Sequence, residues 1–415
     1  MTEPVRRRRS LTHVGGDIET EGAPEEAARL ASALEVDTSE TLDAPERAHV
    51  HGFHSYPARA HPDTVRSLIG DFVPDGGTVL DPFCGSGTVL VESILCGKKS
   101  LGTDLNPLAV RLTSRKIERR DPEELEALVE AAREVAAGAD ARRKAKAGGS
   151  RRYGEEDVAA FDPHVLLELD GLRVGVEAIK ARGLADDLSL VLSAILVKVS
   201  RRRGDTSELD AAPKRIAAGY PAKLFVKKAI ELAERLRAFR ALAPEPWCTA
   251  HVMLDDATRL TRIRPASIDA VISSPPYAAT YDYLQHHAMR MRWLGLDTRG
   301  LDNGEMGARR AYRGMAAADA RRAWGEELMA LLSALSRVMK PGAPLVLLVA
   351  DSAVGSGREV KPLRADDMVP RAAHHQGDFE PIARASQARP HFHPATALAF
   401  AKKPRFEHAL LLCRR

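Results

Sequence analysis

A short apolar run, Ile268 to Ser273, is followed directly by the tetrapeptide Ser274-Pro275-Pro276-Tyr277. The run predicts a buried strand, and the two prolines end it and remove backbone donors, so the neighbouring carbonyls stay free to accept hydrogen bonds. A hydroxyl, a free carbonyl and an aromatic ring together suit a planar group with an exposed amino: the oxygens accept from the NH2, and the ring stacks on its face. The tetrapeptide is therefore a candidate catalytic site, although an ordinary proline turn would have the same composition.

A second candidate site follows another apolar strand and has the sequence Asp81-Pro82-Phe83-Cys84-Gly85-Ser86-Gly87-Thr88. The two glycines let the backbone approach a ligand closely, and the apolar helical stretch that follows, Val89 to Cys96, offers free N–H groups at its start. The next strand ends in Asp104, and an acid so placed bonds ribose hydroxyls in dinucleotide folds. Leu90 occupies the third glycine position of a dinucleotide fingerprint, and the sequence has no P-loop pattern, so neither of those sites is predicted.

Together the two motifs resemble the S-adenosylmethionine-dependent methyltransferases that modify exocyclic amino nitrogens of DNA bases, at cytosine N4 or adenine N6, as in restriction-modification systems. The glycine loop resembles the cofactor motif of that family, and Ser274 to Tyr277 resembles its catalytic motif. The resemblance covers roughly residues 50 to 118 and 250 to 415. It implies S-adenosylmethionine as the cofactor, DNA as the substrate and a transfer reaction that needs no metal.

The resemblance also implies which residues bind the cofactor. The segment His54 to Arg59 resembles one that precedes the cofactor strand in the family and walls the methionine end of the cofactor. Asp255 and Asp256 end the third strand, where the family places an acid against adenine, and the sequence does not separate the two. The predicted set is Tyr56, Arg59, Asp81, Pro82, Phe83, Gly85, Ser86, Gly87, Thr88, Asp104, Asp255 and Asp256.

Strands and helices alternate over much of the chain, which predicts an α/β fold: a Rossmann-like, doubly wound methyltransferase sheet of seven strands with a helical insertion. Both motifs follow predicted strands at their carboxyl ends, so we expect them to face one cleft. The resemblance implies that the last strand is antiparallel. We divide the chain into a disordered N-terminal tail (1–45), a first part of the methyltransferase domain with the cofactor motif (46–120), a helical insertion (121–245) and a second part with the catalytic motif (246–415).

Two segments are candidates for contacts with nucleic acid. Arg201-Arg202-Arg203 ends an amphipathic helix of the insertion and precedes a small polar loop, an arrangement that suits phosphates. Basic residues also stabilise helix C-termini, so capping of the helix explains the run equally well. We interpret the insertion as a region that contacts nucleic acid, with a structural helical cap as the alternative. Tyr281 and Asp282, which follow the catalytic motif, could line the base pocket or the backbone channel. The arginine run Arg6 to Arg9 is more typical of a solvated tail.

An exocyclic amine is a poor nucleophile because its lone pair is spread into the ring. Positioning by Ser274 and the Pro275 carbonyl, with electrostatic help, would carry most of the reaction. A base in a duplex must be flipped out of the stack, and Tyr277 is the natural stacking partner. In the resembled family, Ser at the first motif position is commoner among cytosine-N4 enzymes and Asp among adenine-N6 enzymes. We therefore favour cytosine N4, with adenine N6 as the alternative.

Two rival functions remain open. A methyltransferase acting on guanine N2 in tRNA shares the glycine loop but usually has Pro-Pro-Tyr-Gly, whereas Ala278 follows Tyr277 here. A nucleic-acid-binding protein with an inactive cofactor pocket is the non-enzymatic alternative. The intact cofactor and catalytic motifs count against it.

Composition is that of a globular protein: of 415 residues, 44% are hydrophobic, and the net charge is only +4. These values exclude a disordered or fibrous chain. No apolar run is long enough to span a bilayer and the first residues are polar, so we predict a cytoplasmic enzyme that acts on double-stranded DNA, with no membrane partner. The four cysteines lack metal or disulfide spacing, and the histidines match no zinc pattern. No metal is predicted, and the oligomeric state and an associated restriction endonuclease are left open.

Overall fold

The computed structural model describes residues 16–36, 45–210, 215–355, 359–390 and 394–415. The strands in these ranges are β1 (Ile18–Gly22), β2 (Thr78–Asp81), β3 (Lys99–Asp104), β4 (Ala250–Leu254), β5 (Ala270–Ser273), β6 (Pro344–Ala350), β7 (Ser352–Val354), β8 (Lys361–Leu363), β9 (Phe379–Arg389) and β10 (Arg405–Arg414).

The helices of the described ranges are α1 (Pro24–Leu34), α2 (Pro62–Phe72), α3 (Thr88–Leu95), α4 (Pro107–Ile117), α5 (Pro122–Lys144), α6 (Glu155–Ala160), α7 (Pro163–Glu177), α8 (Arg182–Leu196), α9 (Tyr220–Leu242), α10 (Tyr283–Trp293), α11 (Arg299–Gly304), α12 (Ala317–Val338) and α13 (Ala365–Gln376). Within the described residues, no helix is both long enough and apolar enough to cross a membrane.

Eight strands form one sheet in the order β1-β9-β10-β6-β5-β2-β3-β4, and β7 and β8 form a separate hairpin. Strands β6, β5, β2, β3 and β4 are parallel, whereas β10 runs antiparallel to both of its neighbours. From β2 the chain moves outward to β3 and β4, and it later returns to β5 on the other side of β2. The predicted doubly wound α/β fold is confirmed, and β2 and β5 flank the switch point at which such sheets bind ligands.

Side chains alternate between the two faces of the sheet, as the period of a strand requires. In β5, Ala270 and Ile272 belong to the core on one face, which includes α2, α3 and the helical block. Val271, between them, belongs to the core on the other face, which α12 and α13 cover. Both faces of the central strands are buried, which explains why these strands are nearly continuous apolar runs in the sequence.

The first described residues differ from the prediction. Residues 1–45 were expected to form a disordered tail, but β1 pairs antiparallel with β9 as an eighth strand, and α1 packs on the same sheet. Leu30 and Leu34 lie on one face of α1 and are almost fully buried, and Pro24 occupies the first turn of the helix, where a missing N–H is harmless. The prediction is wrong for residues 16–36 because a few apolar residues at helical spacing suffice to dock one short helix. Arg6 to Arg9 lie outside the described residues.

Five helices, α5 to α9, form a block between α4 and β4, in which α5 packs against α7 and α9. A buried ion pair connects the block to the helix that follows the catalytic motif. Arg290 on α10 donates to both carboxylate oxygens of Asp205 at 2.6 and 3.1 Å, and these two side chains are 3% and 7% exposed. The loop after the arginine run is therefore anchored to α10.

Candidate active site

The two motifs meet in one cleft at the carboxyl ends of β2 and β5. These strands are direct neighbours, so the loops that follow them lie side by side. The cleft is partly open to solvent. Its walls include Phe83, Gly85, Asp104, Ser274, Pro276 and Tyr283.

A direct hydrogen bond joins the two motifs. The Ser273 hydroxyl donates to Oδ1 of Asp81 over 2.7 Å, and the same carboxylate oxygen accepts from the backbone N–H of Phe83 at 3.1 Å. Burial raises the pKa of Asp81 to about 7, although both hydrogen bonds oppose the rise. Asp81 thus holds the glycine loop against the catalytic strand.

Helix α4 supports the glycine loop from below. Thr113 donates to the Gly85 carbonyl at 2.9 Å, and the ammonium of Lys116 donates to the Ser86 carbonyl at 2.8 Å. Gly87 has a φ of +86°, and a Cβ at this position would lie 2.8 Å from the Thr113 side chain. Lys116 is buried, and the loss of solvation holds its pKa well below its usual range. The backbone path of the loop therefore depends on glycine at 87 and on two side chains of α4.

The Tyr56 ring covers the glycine loop. A Cβ added to Gly85 would lie 3.1 Å from this ring, and Gly85 has a φ of +49°. On its other side Tyr56 stacks on His287 of α10, with ring centroids 4.8 Å apart and an interplanar angle of 29°. Arg59 donates to the backbone carbonyls of His51 and Glu46, so part of its guanidinium fixes the segment that carries Tyr56.

Asp104 ends β3 and lines the cleft. Its two carboxylate oxygens accept from the backbone N–H groups of Gly85 and Asn106, each at 2.8 Å. Burial raises its pKa to about 6. Asn106 caps α4 by accepting from the Leu108 N–H, and its amide nitrogen lies 3.4 Å from the Tyr56 hydroxyl. The acid therefore ties the glycine loop to the start of α4 while it faces the cleft.

The structure separates the two acids after β4. The carboxylate of Asp255 accepts from the backbone N–H groups of Asp256 and Arg262 and from the Thr261 hydroxyl, so it closes its own loop. Asp256 lines the cleft and accepts from the hydroxyl and the N–H of Thr258 at 2.7 and 2.9 Å. Of the two acids, Asp256 alone is among the residues that line the cleft.

The catalytic tetrapeptide borders the cleft through Ser274 and Pro276, whereas Pro275 is buried. The Tyr277 hydroxyl lies 3.5 Å from Oε1 of Glu407 on β10. Burial raises the pKa of Tyr277 and the nearby Glu407 carboxylate raises it further, so the phenol is neutral. The loop is held open by a hydrogen bond of 3.0 Å from the Ala279 N–H to the Gly307 carbonyl.

The predicted nucleic-acid residues have partners within the chain. Asp282 is buried, accepts from the Gln285 N–H as the cap of α10, and pairs with Arg310 at 2.8 Å. It is better described as a helix cap than as a nucleic-acid contact. The Tyr281 ring lies 5.7 Å from that of Tyr283, centroid to centroid.

Two of the three arginines in the run Arg201 to Arg203 also form ion pairs within the chain. Arg201 pairs with Asp162 at 2.7 Å, and Arg203 pairs with Asp210 at 2.6 Å. The Arg203 side chain is 78% exposed, so it remains accessible to a large partner. Arg202 is half-buried.

Sequence reasoning missed several residues that line or support the cleft. The lining also contains Asn106 and the segment Leu301 to Met306 around the end of α11. Asn106 carries a recognisable signal, because Asn before Pro107 is a typical helix start. The segment at α11 has no such signal, because only tertiary packing brings it to the cleft.

Two clusters of potential metal ligands occur within the described residues, one around His51 and Glu92 and one around Asp351 and His408. In each, an arginine already pairs with the carboxylate: Arg66 with Glu92 at 2.9 Å, and Arg364 with Asp351 at 2.6 Å. Neither arrangement points to a metal, and the metal-free mechanism stays a prediction.

Comparison with known proteins places the first motif in a family. A family model described as "DNA methylase", for the N6 and N4 methyltransferases, matches residues 33–115. The chain is 33% identical over 89 residues to the Type II methyltransferase M.MjaII of Methanocaldococcus jannaschii, which covers 21% of this chain and 17% of that protein. It is 34% identical over 87 residues to M.MvaI of Kocuria varians, which covers 20% of this chain and 19% of that protein.

A longer match extends beyond this segment. The Type II methyltransferase M.BsoBI of Geobacillus stearothermophilus is 24% identical over 290 residues, which cover 62% of this chain and 55% of that protein. The chain is related to the DNA amino-methyltransferases. The amino-methyltransferase resemblance predicted from the sequence is thereby confirmed, and so is S-adenosylmethionine as the cofactor that the family uses.

The matched regions amount to 17%, 19% and 55% of the lengths of these three relatives. Among solved structures, TrmN from Thermus thermophilus aligns with a TM-score of 0.32 at 12% identity, over 86% of this chain and 50% of that one. A superposition of that quality adds nothing to the assignment, which rests on the sequence relatives and on the cleft.

Proposed function

We propose that this chain transfers a methyl group from S-adenosylmethionine to an exocyclic amino nitrogen of a DNA base, and that the nitrogen is cytosine N4. The observation that carries the proposal is the convergence of the glycine loop and the Ser274 to Tyr277 loop on one cleft, at the switch point of the sheet. Each loop alone has an ordinary structural explanation. Their meeting, with free acceptors beside an aromatic ring, has a chemical one.

The cleft fits the cofactor of the family. The left-handed backbone at Gly85 and the close Tyr56 ring leave a narrow passage in which a side chain larger than hydrogen would collide. Three acids face this space, Asp104, Asp256 and Glu305, and Glu305 is paired with Arg310. We assign Asp104 to ribose hydroxyls, Asp256 to the adenine amine, and the wall formed by Tyr56 and the glycine loop to the methionine end. S-adenosylmethionine supplies an electrophilic methyl group on its sulfonium sulfur.

The protein's part in the chemistry is to hold the attacking amine. The Ser274 hydroxyl and the Pro275 carbonyl both accept hydrogen bonds, and Pro276 has no N–H with which to compete for them. Two such bonds would orient the NH2 and favour a pyramidal nitrogen as its lone pair leaves the ring. Tyr277 would stack on the base, and its neutral phenol introduces no charge beside the ring. Proximity and alignment of this kind supply most of the rate enhancement in such transfers.

Serine at the first motif position supports cytosine. An aspartate there would add a carboxylate, as the resemblance associates with adenine-N6 enzymes, whereas Ser274 offers a neutral acceptor. Adenine N6 is the nearest alternative. The same proposal includes DNA as the substrate and the helical block as a region that contacts it. The exposed guanidinium of Arg203 is one accessible positive group of this block.

Nucleoside mass spectrometry tests the proposal directly. The purified protein is incubated with isotope-labelled S-adenosylmethionine and either unmethylated genomic DNA or tRNA, and the nucleosides are then separated. We expect label in N4-methylcytosine from DNA, and no label with a Ser274→Ala variant that still binds the cofactor. Label in N6-methyladenine would correct the base, label confined to tRNA guanine would correct the substrate, and cofactor binding with no label in either would favour a binding protein.

A further inference from the structure

Two buried arginines lie at the edge of the sheet beside the catalytic loop and have no role in the proposed function. Arg389 ends β9 and Arg405 begins β10, and they are direct partners across this antiparallel pair. The two residues are only 3% and 6% exposed. Like charges directly opposite each other on a sheet repel, and burial strengthens the repulsion. The pair therefore requires acceptors close by.

Glu407 is one such acceptor, and it connects Arg389 to the loop that carries Tyr277. One carboxylate oxygen accepts from Nε of Arg389 at 3.0 Å, and the other lies 3.5 Å from the Tyr277 hydroxyl. The next carboxylate along this edge, Asp351, is already paired with Arg364 at 2.6 Å. The carboxylate that pairs with Arg389 thus also lies next to Tyr277.

Arg405 has a donor that nothing in the protein satisfies. Its Nε donates 2.9 Å to the backbone carbonyl of Asp351, but its Nη1 is buried and has no hydrogen-bond partner among the described residues. A buried charged donor without an acceptor is unfavourable, so an acceptor from outside the chain, such as a water molecule, an ion or a substrate atom, is expected to complete it. The positive charge of Arg405 also lowers the pKa of Tyr277 against the larger effect of burial, in keeping with its nearness to the phenol.

We propose that Arg405 donates through Nη1 to a hydrogen-bond acceptor of the target nucleotide, at a subsite beside Tyr277 that Glu407 and Arg389 back. This inference rests on the proposed function. The acceptor next to the exocyclic amine is the ring nitrogen, N3 in cytosine and N1 in adenine, and a guanidinium can donate to it. The subsite would therefore position either base, and the preference for cytosine rests on Ser274.

The test uses DNA whose target position is known. Genomic DNA methylated by the wild-type protein is sequenced to map the modified base, and duplexes are made with that base present or replaced by an abasic site. The variants are Arg405→Met, which removes the donors, Arg405→Lys, which keeps the charge, and Arg414→Met as the control. Arg414 ends the same strand, far from the cleft, and donates to the Ser336 carbonyl.

Loss of one hydrogen bond from a charged donor should lower kcat/KM for the intact duplex by about 10-fold to 100-fold in Arg405→Met. Its affinity for S-adenosylmethionine should be unchanged, and Arg414→Met should match the wild type. If Arg405 contacts the base, the wild type and Arg405→Met bind the abasic duplex equally. If it contacts the target phosphate, the variant loses affinity for both duplexes.

Wild-type kcat/KM in a folded Arg405→Met variant would overturn the subsite. Should Arg405→Met fail to fold, Arg405→Lys decides: reduced turnover in a folded protein supports the subsite, and wild-type turnover rejects it. Absence of any methyl transfer to DNA by the wild type is a different result. That outcome removes the proposed function, and the subsite with it, whatever the arginine variants do.

Discussion

The Ser273 hydroxyl donates a hydrogen bond of 2.7 Å to the Asp81 carboxylate and so joins the last residue of the catalytic strand to the first residue of the glycine loop. Both side chains are at least 96% buried. A bond of this kind in a low-dielectric interior is strong, and its loss leaves a buried carboxyl oxygen with one hydrogen-bond donor fewer. The relative position of the two loops is therefore fixed by the fold before any ligand enters.

Asp81 should make stability depend on pH. Its folded pKa is about 7 against an ordinary value of 3.8, so between these values the native state holds a proton that the unfolded chain has released. The contribution of Asp81 to the free energy of unfolding therefore falls as pH rises from the unfolded pKa to the folded pKa. The total decrease is roughly 4 kcal/mol, from the pKa difference, and it is complete above the folded pKa. Urea unfolding of wild type and Asp81→Asn at about pH 5 and about pH 8 checks this.

The variant should lose much of the wild-type decrease in unfolding free energy between the two pH values. Some decrease should remain, because burial also raises the pKa of Asp104. Asp319→Asn is the control, since Asp319 is an exposed carboxylate on α12. An Asp81→Asn protein with the full wild-type pH dependence would contradict the assignment of a buried, mostly protonated Asp81.

Gly85 should not tolerate a side chain. Its φ is +49°, and an added Cβ would press on the Tyr56 ring at 3.1 Å. We expect Gly85→Ala to destabilise the protein by more than about 1 kcal/mol and to weaken S-adenosylmethionine binding at least tenfold. At Gly70, on α2, an added Cβ would meet no heavy atom within 4 Å, and Gly70→Ala should stabilise by roughly 0.5–1 kcal/mol.

Thermal unfolding and calorimetric titration of both variants measure these effects. Equal cofactor affinity in Gly85→Ala and Gly70→Ala would show that the glycine loop does not approach the ligand.

The meeting of the two motifs was predictable because it follows from local signals. Apolar runs marked β2 and β5, and proline or glycine marked where each ended, so the rule that ligands bind at carboxyl ends sufficed. The acids after β4 were different. Asp255 and Asp256 have equal sequence signals, and only the folded loop shows which carboxylate turns back to the N–H of Arg262.

The other features that the sequence did not predict depend on contacts between distant parts of the chain. Lys116 lies 30 residues from the carbonyl that it contacts, and Arg290 lies 85 residues from Asp205. Neither contact can be predicted from a short stretch of sequence. Helical periodicity shows which face of a helix is buried, but not which residues pack on that face. The short strand β1 was hidden for a related reason: most of its side chains are exposed, and its stability comes from backbone pairing with β9.

Substitutions at the catalytic loop should separate ring stacking from the hydroxyl. Tyr277→Ala removes the ring and should reduce turnover at least about 100-fold, since base stacking and positioning each contribute a few kcal/mol. Tyr277→Phe keeps the ring and loses the hydroxyl with its contacts to Glu407 and Ser274, so it should stay within a few-fold of the wild type if stacking dominates. Ser274→Ala should lose turnover. Labelled-methyl transfer to DNA gives the rates, and calorimetry should show unchanged cofactor affinity in all three variants.

Loss of cofactor binding in Tyr277→Ala would mean that the tyrosine belongs to the cofactor side of the cleft. A Tyr277→Phe variant as inactive as Tyr277→Ala would assign the chemistry to the hydroxyl and its carboxylate partner.

The arginine run should contribute to the salt dependence of DNA binding. Each phosphate contact adds about 0.9 to the slope of log affinity against log salt concentration. Replacing Arg201, Arg202 and Arg203 with Ala should weaken binding and lower that slope by up to about 3. Arg203→Ala can be compared with Arg133→Ala, because both arginines are exposed and paired with an acid. Fluorescence anisotropy at several salt concentrations gives the slopes, and an unchanged slope in the triple variant would leave the helical block as a structural cap.

The ion pair between Arg290 and Asp205 should be a large determinant of stability. Arg290 also lies 3.3 Å from Nε2 of His54 and donates to the Ser193 carbonyl, so one buried guanidinium joins four segments. Removing either partner leaves an unpaired buried charge and should cost about 3–5 kcal/mol, whereas removing both should cost clearly less than the sum. Urea unfolding of Arg290→Met, Asp205→Leu and the double variant measures this coupling.

The wild type, the two single variants and the double variant also test whether α10 supports the cleft. His287 lies one turn before Arg290 on α10 and stacks on Tyr56, which covers the glycine loop. A single variant that releases α10 should therefore weaken S-adenosylmethionine binding in the folded protein, and the double variant should recover part of the affinity. If stability changes as expected but cofactor affinity is the same in all four proteins, the ion pair fixes the helical block alone, and α10 keeps Tyr56 in place without it.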